Sequence, residues 1–298
     1  MIAKKFTSQF VGRQLVETPQ VNYLGGDLGK EVHSAIASHY KEFPVVTYDI
    51  SYDEKSDLVK GSKPFYLVAV NHELRGNALH TATPAELEMI LAANARKESL
   101  GLNFLGTYED SALVVRTDGD PNKYLAKHLV QQLRARNPKL KLPVMIPLTG
   151  FDLVKDQNSP YGLSFVLRDE ADIIYAPILN SKDNSFDSKQ INASTGLPLK
   201  LGTGSRNFYA RKEGISRLFL SRGLDLGSYD ESLADSVVGG RVVIVGGEAA
   251  GFEIAQQLQE QQKANSERVQ RAVIALYDTQ KAEIEQKFTQ AQKLFQGK

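Results

Sequence analysis

Apolar positions along this chain change period several times, and each change marks an element. Leu28, Val32, Ala35 and Ile36 recur at helical spacing just after the Gly25-Gly26 pair. They predict an amphipathic helix with Asp27 as its N-cap. Thr83-Pro84-Ala85-Glu86 opens a second helix. Thr83 caps it, Pro84 takes the first helical position and Glu86 completes a capping box. Leu87, Ile90, Leu91 and Ala95 then form its buried face. A third helix covers 121–136, with Leu125, His128, Leu129 and Leu133 along one side. Continuous apolar runs predict strands at 44–50, 64–70 and 142–148. Shorter strands at 104–107 and 112–116 flank a turn at Glu109-Asp110. From Thr149 the texture turns β-rich: 161–168 and 172–179 read as a hairpin, followed by a polar surface excursion over 180–205.

The densest patterning comes after that excursion. Leu218, Leu220, Leu224 and Leu226 fall on even positions, with Phe219, Ser221, Gly223, Asp225, Gly227 and Tyr229 between them. Period two predicts a strand or tight hairpin with one leucine face buried. The other face mixes Phe, Ser, Gly, Asp and Tyr without a consistent chemistry. Leu233-Ala234 adds an apolar anchor, and Arg241–Val245 forms a final strand. Beyond it, Tyr277, Ile284, Phe288, Ala291 and Phe295 follow a heptad seam. That C-terminal amphipathic helix buries its stripe either against the body or against another copy, which leaves homo-oligomerisation open. The class is therefore α+β. A mixed α/β region spans 1–148, a β-rich module 149–250 and a helical tail 251–298.

Composition narrows the chemistry. The charge balance of +1 provides no global field for nucleic acid or an acidic substrate. The absence of cysteine removes disulfides, thiolate nucleophiles and cysteine-based metal sites, and fits a cytoplasmic or virion setting. No apolar run reaches membrane-spanning length, and residues 1–20 lack the apolar core of a signal peptide, so no membrane partner is expected.

No enzyme motif passes inspection. Leu24 to Glu31 imitates a phosphate-binding loop, but Leu24 replaces its first glycine and Glu31 stands where a hydroxyl would meet Mg²⁺. Val242 to Ala255 imitates a dinucleotide fingerprint. Gly246 and Gly251 match its outer glycines, but Glu248 occupies the position that must approach the pyrophosphate. The five histidines form no HExxH or i, i+4 pair. Asp183 to Asp187 lacks the glycine and distal acid of a calcium loop. No catalytic residue, cofactor or metal is assigned.

The frame running from Ser216-Arg217-Leu218-Phe219-Leu220 to Gly240-Arg241-Val242-Val243-Ile244-Val245 resembles the variable segment of diversity-generating retroelement target proteins. The resemblance extends over 161–251. Template adenines are mutated in that family, so Lys, Glu, Gln, Met and Trp cannot arise from its Asn codons. Between Gly214 and Gly247 only Glu231 belongs to that unreachable set. The chain departs from the family in continuing to Lys298 and in lacking tryptophan. The resemblance implies a C-type-lectin-like module and non-enzymatic binding of varied ligands, chiefly proteins. The ligand-facing positions would be Phe219, Ser221, Gly223, Asp225, Gly227, Tyr229, Asp230, Ser232, Asp235, Val237 and Val238. Tyrosine supplies contact area there, while Ser, Gly and Asp supply adaptable hydrogen bonding. Two alternatives stay open: an NAD- or FAD-dependent oxidoreductase using the Gly246–Gly251 turn, and an assembly protein joined through its C-terminal helix.

Overall fold

A computed structural model describes residues 21–77, 79–95, 102–236 and 239–246. These residues all fall in the first of two compact units, which ends at Gly251. Val237, Val238, the Gly247–Gly251 turn and the amphipathic helix expected over 251–298 lie outside the described residues.

The chain enters through β1 (Val21–Tyr23), α1 (Gly26–His39), α2 (Pro44–Thr47), β2 (Ser51–Asp53), β3 (Leu58–Lys60) and α3 (Pro64–Leu74). It continues through β4 (Leu79–Thr81), α4 (Pro84–Ala95), β5 (Glu109–Val115), α5 (Lys123–Arg136) and β6 (Val144–Pro147). The later strands are β7 (Phe151–Lys155), β8 (Leu163–Leu167), β9 (Ile174–Tyr175), β10 (Asn184–Phe186), β11 (Arg206–Ala210), β12 (Ile215–Leu220), β13 (Leu226–Ser228) and β14 (Val243–Gly246). The result is a mixed α+β fold around a curled seven-stranded sheet ordered β10-β11-β13-β12-β5-β6-β9. That sheet takes β5 and β6 from before residue 149 and β9 to β13 from after it. Its pairings are antiparallel except β11 with β13.

Both faces of this sheet are covered, which explains why β5 and β12 are buried at every residue. Leu113, Val115, Val144, Ile146 and Ile215 pack on one side with α1, α3, α5 and the β7–β8 hairpin. Ala112, Val114, Met145, Phe208, Leu218 and Leu226 pack on the other with Leu179, Phe186 and Leu197. The expected polar excursion over 180–205 therefore includes core residues and the edge strand β10. A third cluster joins α4 to Val243, Val245 and Leu220. Arg116, just after β5, is buried with no acid paired to it among the described residues. It donates to the Leu179 and Ser228 carbonyls and the Ser216 and Ser228 hydroxyls, pinning β12 and β13 together.

Several sequence expectations change. The strand expected at 64–70 is the helix α3, buried at every residue from Pro64 to Asn71, with Phe65, Tyr66 and Leu67 at the centre of the core. A helix enclosed on every side has no polar stripe, so its apolar run imitates a buried strand. Pro64 at its first turn is the helical signal. The strand at 44–50 is likewise replaced by the single turn α2, again begun by proline. No strand forms at 104–107, and Glu109 and Asp110, expected in a turn, are buried in β5. The 161–168 and 172–179 segments do not pair: β8 pairs with β7, and β9 with β6. Asp27 sits in the first turn of α1, not at its cap, which is Gly25. A Cβ at 25 would stand 2.4 Å from the Asp57 carbonyl oxygen, so glycine is required by close approach.

The α4 capping box forms as read. Thr83 Oγ1 accepts from the Glu86 amide at 3.3 Å, and Glu86 accepts from the Thr83 amide at 2.8 Å. β14 lies between β1 and β4 and runs antiparallel to both. Dinucleotide-binding sheets instead carry their glycine turn after a parallel strand. Among the described residues, no helix is long and apolar enough to cross a membrane.

Candidate functional site

The even positions of the β12–β13 hairpin behave as their period requires. Leu218 and Leu226 enter one core, while Leu220 and Leu224 pack against another. The connecting turn closes with Ser221 donating to Asp225 O at 2.8 Å and Leu224 donating to Ser221 O at 2.9 Å. Leu224 adopts φ of 67°, an uncommon conformation for a leucine. Asp225 Oδ1 accepts from the Asn207 amide at 2.7 Å, so this carboxylate ties β11 to the turn.

The odd positions form a layered surface. Phe219 and Tyr209 each stand opposite Gly227 on neighbouring strands. Phe219 is only 3% exposed, which overturns its expected display. Its ring lies over Gly227, which is buried with it, and packs 4.8 Å from the Tyr108 ring centroid. Tyr229 packs edge-on to Phe219 at 5.6 Å and to Tyr209 at 6.0 Å. The outer two rings remain open, Tyr229 at 48% and Tyr209 at 36%. The aromatic series thus runs from the surface to the interior through Tyr209, Tyr229, Phe219 and Tyr108.

Below these rings lies a charged cluster. Arg217, on β12, is 3% exposed and Asp110, on β5, 2%. The Arg217 guanidinium stands 3.7 Å from Asp110 and also grips Asp230 through Nε at 3.0 Å and through Nη2. Its Nη1 donates to Asp235 O at 2.9 Å, and its backbone amide to Asp230 O at 3.0 Å. The guanidinium also lies 5.1 Å from the Tyr108 ring centroid. Ser62 Oγ donates to Asp110 at 2.9 Å, and Lys63, wholly buried, donates to the carbonyls of Tyr48 and Ala234. Segment 229–236 is therefore strapped over the cluster, with Leu233 as a buried peg and Ser236 Oγ accepting from the Ser62 amide at 2.7 Å.

Burial governs the ionisation of this cluster. It pushes Asp110 up to about 6, with Arg217 and Ser62 opposing and Asp230 adding to the rise. It brings Lys63 down to about 8 against the pull of Asp49 and Asp235. Burial also works against the charge on Arg217, but Asp110, Tyr108 and Asp230 outweigh it and hold the guanidinium above its ordinary value. Burial pushes Glu109, the neighbour of Asp110 on β5, up to about 8, with Asp110 adding to the rise. Among the described residues, Asp110 Oδ1, the Tyr108 hydroxyl and both Glu109 carboxyl oxygens have no hydrogen-bond partner.

The sequence-derived positions divide accordingly. Tyr229, Gly223 and Asp235 are exposed, Ser221 and Ser232 half-buried, and Phe219 and Gly227 buried. Asp225 and Asp230 are half-buried and committed to internal bonds. Asp110, Arg217, Ser62, Lys63, Tyr108 and Tyr209 were not singled out from the sequence. Their signal was a charge embedded in an apolar run, Arg217 within ISRLFL and Asp110 within EDSALVV. Asp187 accepts from the Lys189 amide, as a turn cap does, and Asp183 accepts from the Ala210 amide at the end of β11. Among the described residues, no group of three or more His, Asp or Glu is placed to hold a metal ion. Compared with protein-family models, curated proteins and solved structures, the chain shows no significant match to any.

Proposed function

We propose that this chain is a non-enzymatic binding protein whose ligand, a protein, docks on the Tyr209–Tyr229 surface. The observation that carries this reading is the aromatic series itself. Two half-open tyrosines stand on a sheet strand and a strapped segment, with Phe219 buried beneath them as a firm floor. Aromatic anchors held by a rigid base lose little side-chain entropy on binding and favour protein contacts. Arg211, bonded to Tyr229 O at 2.9 Å and to Glu231 at 2.6 Å, supplies a polar rim. The reading agrees with the resemblance to retroelement target proteins, and with it goes the proposal that the β-rich part is C-type-lectin-like, a unit that must then include β5 and β6 with the strands of 149–250.

Site-specific photo-crosslinking tests it. A photoreactive residue at 229 or 209, in the cells that make the protein, should capture one adduct of defined mass. The same residue at the open control position Leu199 should capture none. Equal capture at all three positions, or none at any, would overturn the proposal.

A further inference from the structure

The charged cluster joins the strap to the sheet in a way that responds to protons. Arg217 is shared between two carboxylates, Asp110 below in β5 and Asp230 above in the strap. Asp110 is enclosed, and one of its oxygens has no hydrogen-bond partner among the described residues. The groups around it are Arg217 from β12, Asp230 from the strap, Ser62 from the turn before α3, Glu109 from its own strand and Tyr108 just before that strand. With both carboxylates charged, one guanidinium serves two anions that repel each other. With Asp110 neutral, Asp230 alone holds Arg217.

We propose that segment 229–236 is a proton-controlled clasp, closed most firmly when Asp110 is protonated and loosened when Asp110 ionises. The direction follows from linkage. Opening the strap removes Asp230 and admits water, both of which favour the carboxylate. The open form therefore binds the Asp110 proton less tightly, and rising pH shifts the balance toward it. Burial raises Asp110 to about 6, which places the transition near that pH. The Lys63 bond to Ala234 O weakens only at more alkaline pH, because Lys63 keeps its proton up to about 8. Tyr229 begins the strap, so ligand affinity should fall as the clasp loosens. Only that last consequence rests on the binding function proposed above.

Hydrogen exchange of the full chain, followed by mass spectrometry on peptides covering 229–236 and corrected for intrinsic rate, reads the clasp directly. Between pH 5 and 7.5 the native protein should lose about tenfold in protection there. Asp110→Asn should hold the protected level throughout. Asp230→Asn, altering a partly exposed residue, should sit at the unprotected level at every pH. Tyr229→Ser should abolish cross-linking at Tyr209 while leaving the pH response intact, so failure of the clasp and failure of the binding surface are distinguishable. A flat native profile, or an unchanged slope in either aspartate variant, would overturn the proposal.

Discussion

The Phe219 ring occupies the space that a side chain at residue 227 would need: a Cβ on Gly227 would stand 2.3 Å from Phe219 Cζ. The two residues face each other across β12 and β13. Glycine at 227 lets the ring lie against the neighbouring backbone and form the floor below Tyr229. Gly227→Ala should therefore overpack a site whose ring is held by Tyr108 and Tyr229, costing about 2 kcal/mol. Urea unfolding would show a lower midpoint with an unchanged slope. Adding Phe219→Leu should recover about 1 kcal/mol through direct coupling, and strict additivity would refute the contact as the cause.

Arg206 and Glu88 form a two-pronged ion pair, with both hydrogen bonds at 2.6 Å, joining β11 to α4. Both side chains are buried. Glu88→Gln strands a buried guanidinium and should cost about 3 kcal/mol. Replacing both residues together, Glu88→Leu with Arg206→Met, should cost less than the single change, because no charge is left unpaired. Arg206→Lys should not preserve stability, since an ammonium cannot make the paired contacts. Thermal unfolding of the three variants decides the order.

Glu109 should tilt the pH dependence of stability. Its folded value is raised to about 8 by burial, against an ordinary 4.5. A raised carboxyl contributes stability that is fully present below the unfolded value. That contribution is lost as pH rises through the folded value, because the unfolded chain releases the proton first. Stability should fall by about 2–4 kcal/mol between pH 4.5 and 8 through this group. Glu109→Gln should flatten the decline in that window. Denaturant titrations at pH 5, 6.5 and 8 check this, and an equal slope in the variant would place the effect elsewhere.

Much of the local structure was legible because it depends on neighbours in sequence. The α4 capping box needs only Thr83, Pro84 and Glu86, and the helix begins where they stand. The leucine frame of the β12–β13 hairpin likewise enters the core as its period requires. The candidate site was half legible. Tyr229 was marked by its parity opposite the leucines, Asp230 and Asp235 by the family resemblance, and all three lie in the strap. Phe219 shares the parity of Tyr229 but is buried, because Tyr108 and Tyr229 arrive from other parts of the chain to cover it.

From the sequence alone come the alternations, the caps, the glycine and proline positions, and the exclusion of thiol chemistry. These follow from steric and covalent properties that each residue carries with it. Tertiary structure alone decided whether the apolar run at 64–70 became strand or helix, because complete enclosure erases the polar stripe that separates the two. It also decided that the sheet has cores on both faces, so alternation at β12 distinguishes one core from another, not core from solvent. Lastly, it brought Ser62, Lys63, Asp110, Arg217 and Asp230 into one cluster. Charges so far apart along the chain interact strongly only when folding removes the water between them, and no local pattern encodes that meeting.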